Sequence, residues 1–447
     1  MMRAALSELL RLAWPLMLAQ MAFLGMTATD TLVAGRYAAT TLAGVGLGSS
    51  VVIAGFCLLM GLCLVVAPAV SRQLGAQSSR EALGGWISGA LALGLGSWTV
   101  LFVLLQILAA PLARWIAPEA IVAVEMEAYL RWSTWGFPFL GLFFVLRNVV
   151  EAHGLSRPVM WWGFGALALN LPLNILFIHG WGPIPAMGAA GCGLATSLVH
   201  SLLGLGLWAT FRRHARTRDL RLRWGPEART GLRETWQAGL PIGMALLAES
   251  ALFALGGLLM AQYGTLAVAA HQIANTLASL AFMVQVGIGQ ASAILIGRAY
   301  GARQPDTLRL AAWAGALSGG LLALLLALFY LLTRFGLVGL FTTHPEVTSL
   351  AASFLVWAAA FHVFDAMQAL HAAGLRGLHD TRPVMRLTLF AYSAVAVPCM
   401  AWWVFRAQAP AQSIWWSFML GLGLASLLLM FRFWRARLPR ALQEIAP

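Results

Sequence analysis

The sequence predicts an all-α polytopic membrane protein with twelve transmembrane helices. Three observations predict this class. Of 447 residues, 60% are hydrophobic and only 10% charged, whereas soluble domains carry about 25% charged residues. Apolar stretches long enough to cross a bilayer recur along the whole chain. The basic residues, all of them Arg, gather in alternate loops, as the positive-inside rule requires. The net charge of +13 therefore reads as membrane topology rather than a nucleic-acid surface. Cys57, Cys63, Cys192 and Cys399 show no CxxC or ligand spacing and read as small core residues.

The spans fall at about 9–34, 43–70, 84–110, 122–150, 158–178, 187–211, 235–263, 266–296, 308–332, 347–377, 383–405 and 412–434. Short loops bearing Gly, Pro or Arg separate them. The first span, preceded by Arg3 and Arg11, is too long for a signal-peptide core and reads as a retained helix. With the N-terminus inside, only Arg36, Arg114, Arg131, Arg334 and Arg406 lie on the outer side, and the other 24 arginines, Arg147 included, lie at cytoplasmic ends and loops. Both termini are thus expected in the cytoplasm. Trp14, Trp161, Trp162, Trp402, Trp403, Trp415, Trp416 and Trp434 mark span ends as an interfacial belt would. Gly315 and Gly319 form a GxxxG that permits close helix packing.

Residues 212–233 form the one sizeable loop and hold eight arginines. They read as a segment lying against anionic membrane lipids. Neither a nucleic acid nor an obligate protein partner is expected.

The chain repeats across this loop. An offset of 226 brings Pro15 onto Pro241, Gly61 onto Gly287, Arg72 onto Arg298, Gly75 onto Gly301 and Pro172 onto Pro398. RPVM at 157–160 recurs at 382–385. The expected organisation is a six-helix lobe over 1–211, a basic cytoplasmic linker over 212–233 and a second six-helix lobe over 234–447. An even number of spans per half makes the repeat parallel, related by a pseudo-two-fold axis along the membrane normal.

Of sixteen acidic residues, only Asp30, Glu249 and Asp365 are expected well inside spans. A charge at the bilayer centre costs about 2.5–3.5 kcal/mol on insertion scales. Such residues therefore turn toward protein or water and find partners. Glu249 and Asp365 lie about 21 and 24 Å from the outer ends of their spans, at a rise of about 1.5 Å per residue. They are expected to face each other as a coupled pair. Asp30, the one embedded charge expected in the first half, has Asn170, Asn174 and Thr196 at a similar level. The asparagines share a face at i, i+4, and Pro172 between them leaves the Ala168 carbonyl unbonded. Carboxylate, amides, hydroxyl and carbonyl make an all-oxygen setting for a hard cation or a proton relay. The plain alternative for both groups is a structural hydrogen-bond network.

Weaker candidates surround them. Met26, Phe23, Phe253, Met260 and Met283 offer soft and cation–π contacts to flat cations. His271 and Gln272, near the outer start of span eight, are further cavity candidates. His362 and Gln368 flank Asp365 at i−3 and i+3. Asp380, in a basic loop, is expected to pair with Arg376 or Arg382.

The stretches PLMLAQMAFLGMTATDTLVAG (15–35), NLPLNILFIHG (170–180), GAAGCGLATSLV (188–199), AESALFALGGLLMAQYG (248–264), AAHQIA (269–274) and FDAMQALHAAGLRGLHDTRPVM (364–385) resemble the multidrug and toxic compound extrusion family, and the Glu–Asp combination resembles its NorM-like branch. The resemblance covers nearly all twelve spans. It implies two six-helix lobes, alternating access and export of organic cations in exchange for Na⁺ or H⁺, with no other cofactor. It also implies that Asp30, Asn170, Asn174 and Thr196 serve ion coupling, with Na⁺ held there or at Glu249 and Asp365. At Phe361, one turn before Asp365, NorM-like relatives tend to carry a Tyr that helps hold the cation; Phe offers no oxygen.

Two other classes compete. A lipid-linked saccharide flippase would prefer a cationic cavity, and the embedded charges here are acidic. An intramembrane enzyme would need a motif such as GxGD, HExxH or GxSxG, and none occurs. Nor does a P-loop, so a secondary antiporter rather than an enzyme or ATP-driven pump is expected.

Overall fold

The computed structural model describes residues 1–446. Twelve helices are long and apolar enough to cross a membrane: α1 (Met2–Tyr37), α2 (Ala39–Gly75), α3 (Arg80–Ile116), α4 (Ala120–Ala152), α5 (Ser156–His179), α6 (Ala189–Arg213), α7 (Pro226–Tyr263), α8 (Thr265–Gly301), α9 (Pro305–Gly339), α10 (Pro345–Gly377), α11 (Thr381–Phe405) and α12 (Ser413–Ile445). Among the described residues there is no strand, only one bridge between Trp181 and Ile184. Each helix matches its expected span, although α6 begins two residues later than expected and α12 one residue later. Most overrun it, because Arg-, Ala- and Glu-rich ends keep the backbone bonded beyond the apolar stretch.

Four irregular turns lie just ahead of prolines. The α-helical part of α2 stops at Leu64, before Pro68, and α4 tightens to a 3₁₀ turn at Thr134–Gly136, before Pro138. Both α11 and α12 widen to π turns, at Ala391–Ala396 before Pro398 and at Arg432–Arg437 before Pro439. Proline has no N–H for the carbonyl four residues back, and local rewinding absorbs the gap.

The chain divides into two compact units. One comprises Leu18–Val70 and Ser78–Gly243, and the other Met1–Met17, Ser71–Gln77 and Met244–Pro447. This differs from a chain-order split at the linker. The linker and the start of α7 join the first-half unit, while the start of α1 and the end of α2 join the second-half unit. Glycines explain both exchanges. A Cβ on Gly61 of α2 would strike the backbone of Gly243 of α7, and one on Gly287 of α8 would strike that of Met17 of α1. These are the same contact in the two repeats, at the offset of 226. Gly75 likewise lies against the Arg298 carbonyl, and Gly301 against the Arg72 carbonyl.

In the first-half unit Trp98, completely buried, packs between Phe56, Phe137 and Phe144. In the second-half unit Phe354, Phe361, Trp415 and Phe418 form the aromatic centre of a core built from α7 to α12. Trp161 and Trp402 are exposed as belt residues should be, but Trp415 is fully enclosed. The GxxxG glycines of α9 meet Ser292 of α8 and Leu370 of α10.

Several charges are placed differently from the sequence reading. Arg147 and Glu151 are buried within α4 as an i, i+4 ion pair at 2.6 Å, with Arg147 also donating to Gln20 at 3.0 Å. Asp30 is therefore not the only embedded charge of the first half; the span was expected to end at 150, whereas α4 stays buried through Ala152. Asp380 pairs with neither Arg376 nor Arg382. Arg432, carried over it by the π turn of α12, takes both contacts at 2.8 Å. Beside it His379 has its imidazole pushed down to about 3 by burial and by the charges of Arg72 and Arg437. In the linker, Arg216 donates to the His153 carbonyl and Arg218 lies 3.7 Å from Asp219. Part of that basic loop is thus bonded to protein.

Candidate functional site

Three helices of the first-half unit converge on Asp30. Asp30 sits two turns before the end of α1 and is buried. Its Oδ1 accepts from Asn170 Nδ2 at 3.0 Å and from Asn174 Nδ2 at 2.7 Å, and its Oδ2 from Thr196 Oγ1 at 3.2 Å. The i, i+4 spacing on α5 aims both amides at one acceptor. Asn174 also donates to the Asn170 carbonyl at 2.9 Å, so the backbone oxygen in bonded contact is that of Asn170, not Ala168. Thr196 lies 2.9 Å from the Cys192 carbonyl as well, and shares its one proton between two acceptors. Each asparagine turns its NH₂ toward Asp30, and the buried Oδ1 atoms of Asn170 and Asn174 are left without partners. Val33, Ala34, Val45, Ile178, Ala189 and Tyr129 make the apolar neighbourhood, and Tyr129 lies within reach of the Asp30 charge.

The second-half unit holds the other two carboxylates. Glu249 of α7 and Asp365 of α10 are both buried, and Glu249 is the charged group that acts on Asp365. Glu249 Oε2 accepts from Gln368 Nε2 at 3.5 Å and from the Tyr392 hydroxyl at 3.4 Å. These are long hydrogen bonds, unlike the closer set around Asp30. Asp365 Oδ1 has no partner. Phe361 stands edge-on to Phe253 at 5.8 Å and Trp415 at 6.1 Å, in the core. The hydroxyl that reaches Glu249 belongs to Tyr392, on the π turn of α11. Among the described residues no three His, Cys, Asp or Glu side chains converge.

A sequence model of the MatE family matches residues 15–176 and again 241–402. The two matches stand 226 residues apart, the offset of the internal repeat. The chain belongs to the MatE family.

Members of the MatE family are transporters, not enzymes. This chain is 34% identical to multidrug resistance protein PmpM of Pseudomonas aeruginosa, over 97% of this chain and 92% of that one. It is 32% identical to multidrug resistance protein NorM of Vibrio vulnificus, over 95% and 94%. In fold it is similar to the eukaryotic MATE transporter AtDTX14, with TM-score 0.89 and 16% identity over the whole of both chains. An outward-facing multidrug resistance MATE transporter matches with TM-score 0.89 and 20% identity, covering 98% of this chain and 97% of that one.

The other candidates divide. Gln368 joins the carboxylates, whereas Met260, His271 and Phe361 are enclosed in the apolar core, His271 lying 5.5 Å from the Trp415 ring. In this MatE conformation these three present no free face to a substrate. Gln272 is exposed, Phe253 and Met283 are half-buried and Met26 is buried. Phe23 stacks on Phe143 and His200. Sequence reasoning missed Tyr392. Its signal was rarity: the chain has six tyrosines, and this one lies mid-span, six residues before Pro398.

Proposed function

We propose that the chain is a secondary antiporter exporting lipophilic organic cations, multiple drugs among them, in exchange for Na⁺ or H⁺ by alternating access. One observation carries this reading. Asp30, Glu249 and Asp365 are buried, and no arginine or histidine is among their hydrogen-bond partners. A buried carboxylate without a basic partner is completed by a cation or a proton. A cationic drug and the coupling ion then compete for one negative charge, the minimal requirement for exchange. The names of the relatives, multidrug resistance proteins, support the same substrate class. The phosphate of a lipid-linked saccharide would be repelled by these groups.

The test is ethidium efflux from everted vesicles with Na⁺ and pH gradients imposed separately. Efflux driven by either gradient, with an anionic dye left inside, is expected. Equal export of both dyes, or export indifferent to both gradients, overturns the reading.

A further inference from the structure

The first turns of α7 have two unlike faces. The linker and this helix start dock on α3, with Gly84 against the Arg221 carbonyl, Gly89 against the Ala228 carbonyl and Gly231 against the Trp86 carbonyl. Leu220 and Ala228 are buried there. Docking fixes which way the helix faces. Ala228, Gly231 and Thr235 turn toward protein and are buried, whereas Arg229, Arg233 and Trp236, at i, i+4 and i+7, share an exposed face. Among the described residues neither arginine makes an ion pair. The nearby carboxylates are engaged elsewhere: Glu234 accepts from the Trp86 indole at 3.0 Å, Asp219 holds Arg80 at 2.6 Å, and Glu227 lies against Gly85 of α3. Arg221 and Arg223 of the adjoining linker are exposed as well, with Trp224 beside them.

Like charges at i, i+4 repel, and no group of the protein neutralises this pair. Trp236 gives its depth. The ring is 47% exposed at the first turn of the apolar stretch, where indoles mark the boundary between acyl chains and headgroups. Arg233 stands about 4.5 Å and Arg229 about 10 Å further out along the helix, at a rise of about 1.5 Å per residue. The headgroup layer on each side of a bilayer is about 5–8 Å thick, so Arg233 falls inside it and Arg229 at its outer edge. A guanidinium group matches phosphate oxygens in a two-pronged contact. We propose that Arg229, Arg233 and Trp236 form a docking site for an anionic phospholipid, its headgroup phosphate between the two guanidinium groups and its acyl chains along α7 beyond Trp236. Charge complementarity selects this occupant. A zwitterionic lipid offers the same phosphate but adds an ammonium group, which Arg221 and Arg223 repel. The docked lipid holds the start of the helix that carries Glu249.

The experiment follows the melting temperature of the full chain in dodecyl maltoside, an uncharged detergent, during titration with dioleoyl phosphatidylglycerol. Dioleoyl phosphatidylcholine, with the same acyl chains, is the comparison. Phosphatidylglycerol should raise the melting temperature, and phosphatidylcholine should not. In the double variant Arg229→Gln/Arg233→Gln, half-saturating phosphatidylglycerol should rise about thirtyfold, since each arginine at an anionic surface contributes about 1 kcal/mol. Arg114→Gln/Arg406→Gln removes the same charge from two exposed positions elsewhere and should titrate as wild type. Equal stabilisation by both lipids overturns the proposal, as does a double variant at 229 and 233 that titrates as wild type. An equal loss in the variant at 114 and 406 would show a net-charge effect and overturn the site. Stabilisation by inorganic phosphate to the same extent as by phosphatidylglycerol would show a free-anion site and overturn the lipid. If the double variant does not fold, Arg233→Gln alone should shift the midpoint about fivefold; no shift overturns the proposal.

Discussion

Asn174 donates to Asp30 at 2.7 Å while its own amide oxygen, buried, bonds to nothing. Asn170 repeats the arrangement at 3.0 Å. Both amides are turned so that an N–H of each supports the carboxylate, and both buried side-chain oxygens are left unbonded.

Asp30→Asn should reduce ethidium efflux by on the order of a hundredfold while leaving the protein in the membrane, because hydrogen bonds to a charged group are each worth about 1.5–3 kcal/mol. Asn174→Ala removes one donor of three and should cost less. Dye accumulation in cells, normalised to membrane-inserted protein, measures both. Normal efflux by Asp30→Asn would move ion coupling wholly to Glu249 and Asp365.

Glu249→Gln and Asp365→Asn should each damage transport, and the double variant should be little worse than the poorer single one. Groups that share one guest are non-additive, whereas independent sites add within about 0.5 kcal/mol. Multiplying losses in the double variant would show two separate sites.

Tyr392→Phe deletes the hydroxyl that reaches Glu249 from α11. Efflux should fall by roughly three- to tenfold, the range for one hydrogen bond of ordinary net strength. Phe361→Tyr should not restore it, since Phe361 faces Phe253, Trp415 and Phe418. Rescue by that second change would mean that the ring at 361 reaches the carboxylates.

Single cysteines introduced by Arg218→Cys and Gly182→Cys should label from opposite sides of the membrane, position 218 from the cytoplasm. Labelling of position 218 in intact cells by an impermeant maleimide would reverse the assigned topology.

Much of this was legible in the residues. The Asp30 cluster could be assembled from depth and from the i, i+4 step between Asn170 and Asn174, because helix geometry converts spacing into shared direction. Three features were not legible, each for a different reason. Tyr392 reaches Glu249 from a π turn, and periodicity presumes a regular helix. Glu151 looked like a span-end residue because its neutralising partner, Arg147, is itself a charge. Asp380 finds Arg432 across 52 residues, whereas the sequence offers nearer arginines. Charges pair by where helices end in space, which hydropathy does not record.

The reciprocal glycines carry a statement about ancestry. Gly75 lies on Arg298 and Gly301 on Arg72, so exchanging the repeats returns the same contact. A self-complementary contact of this kind is what two identical chains make across a two-fold axis. Before the halves were joined, one substitution would have struck both sides of that contact together. Fusion released the two positions to drift separately, yet in this chain both remain glycine and both remain pressed against a carbonyl. The two halves differ at most positions, yet here, as at Gly61 and Gly287, each keeps a glycine where the other has one.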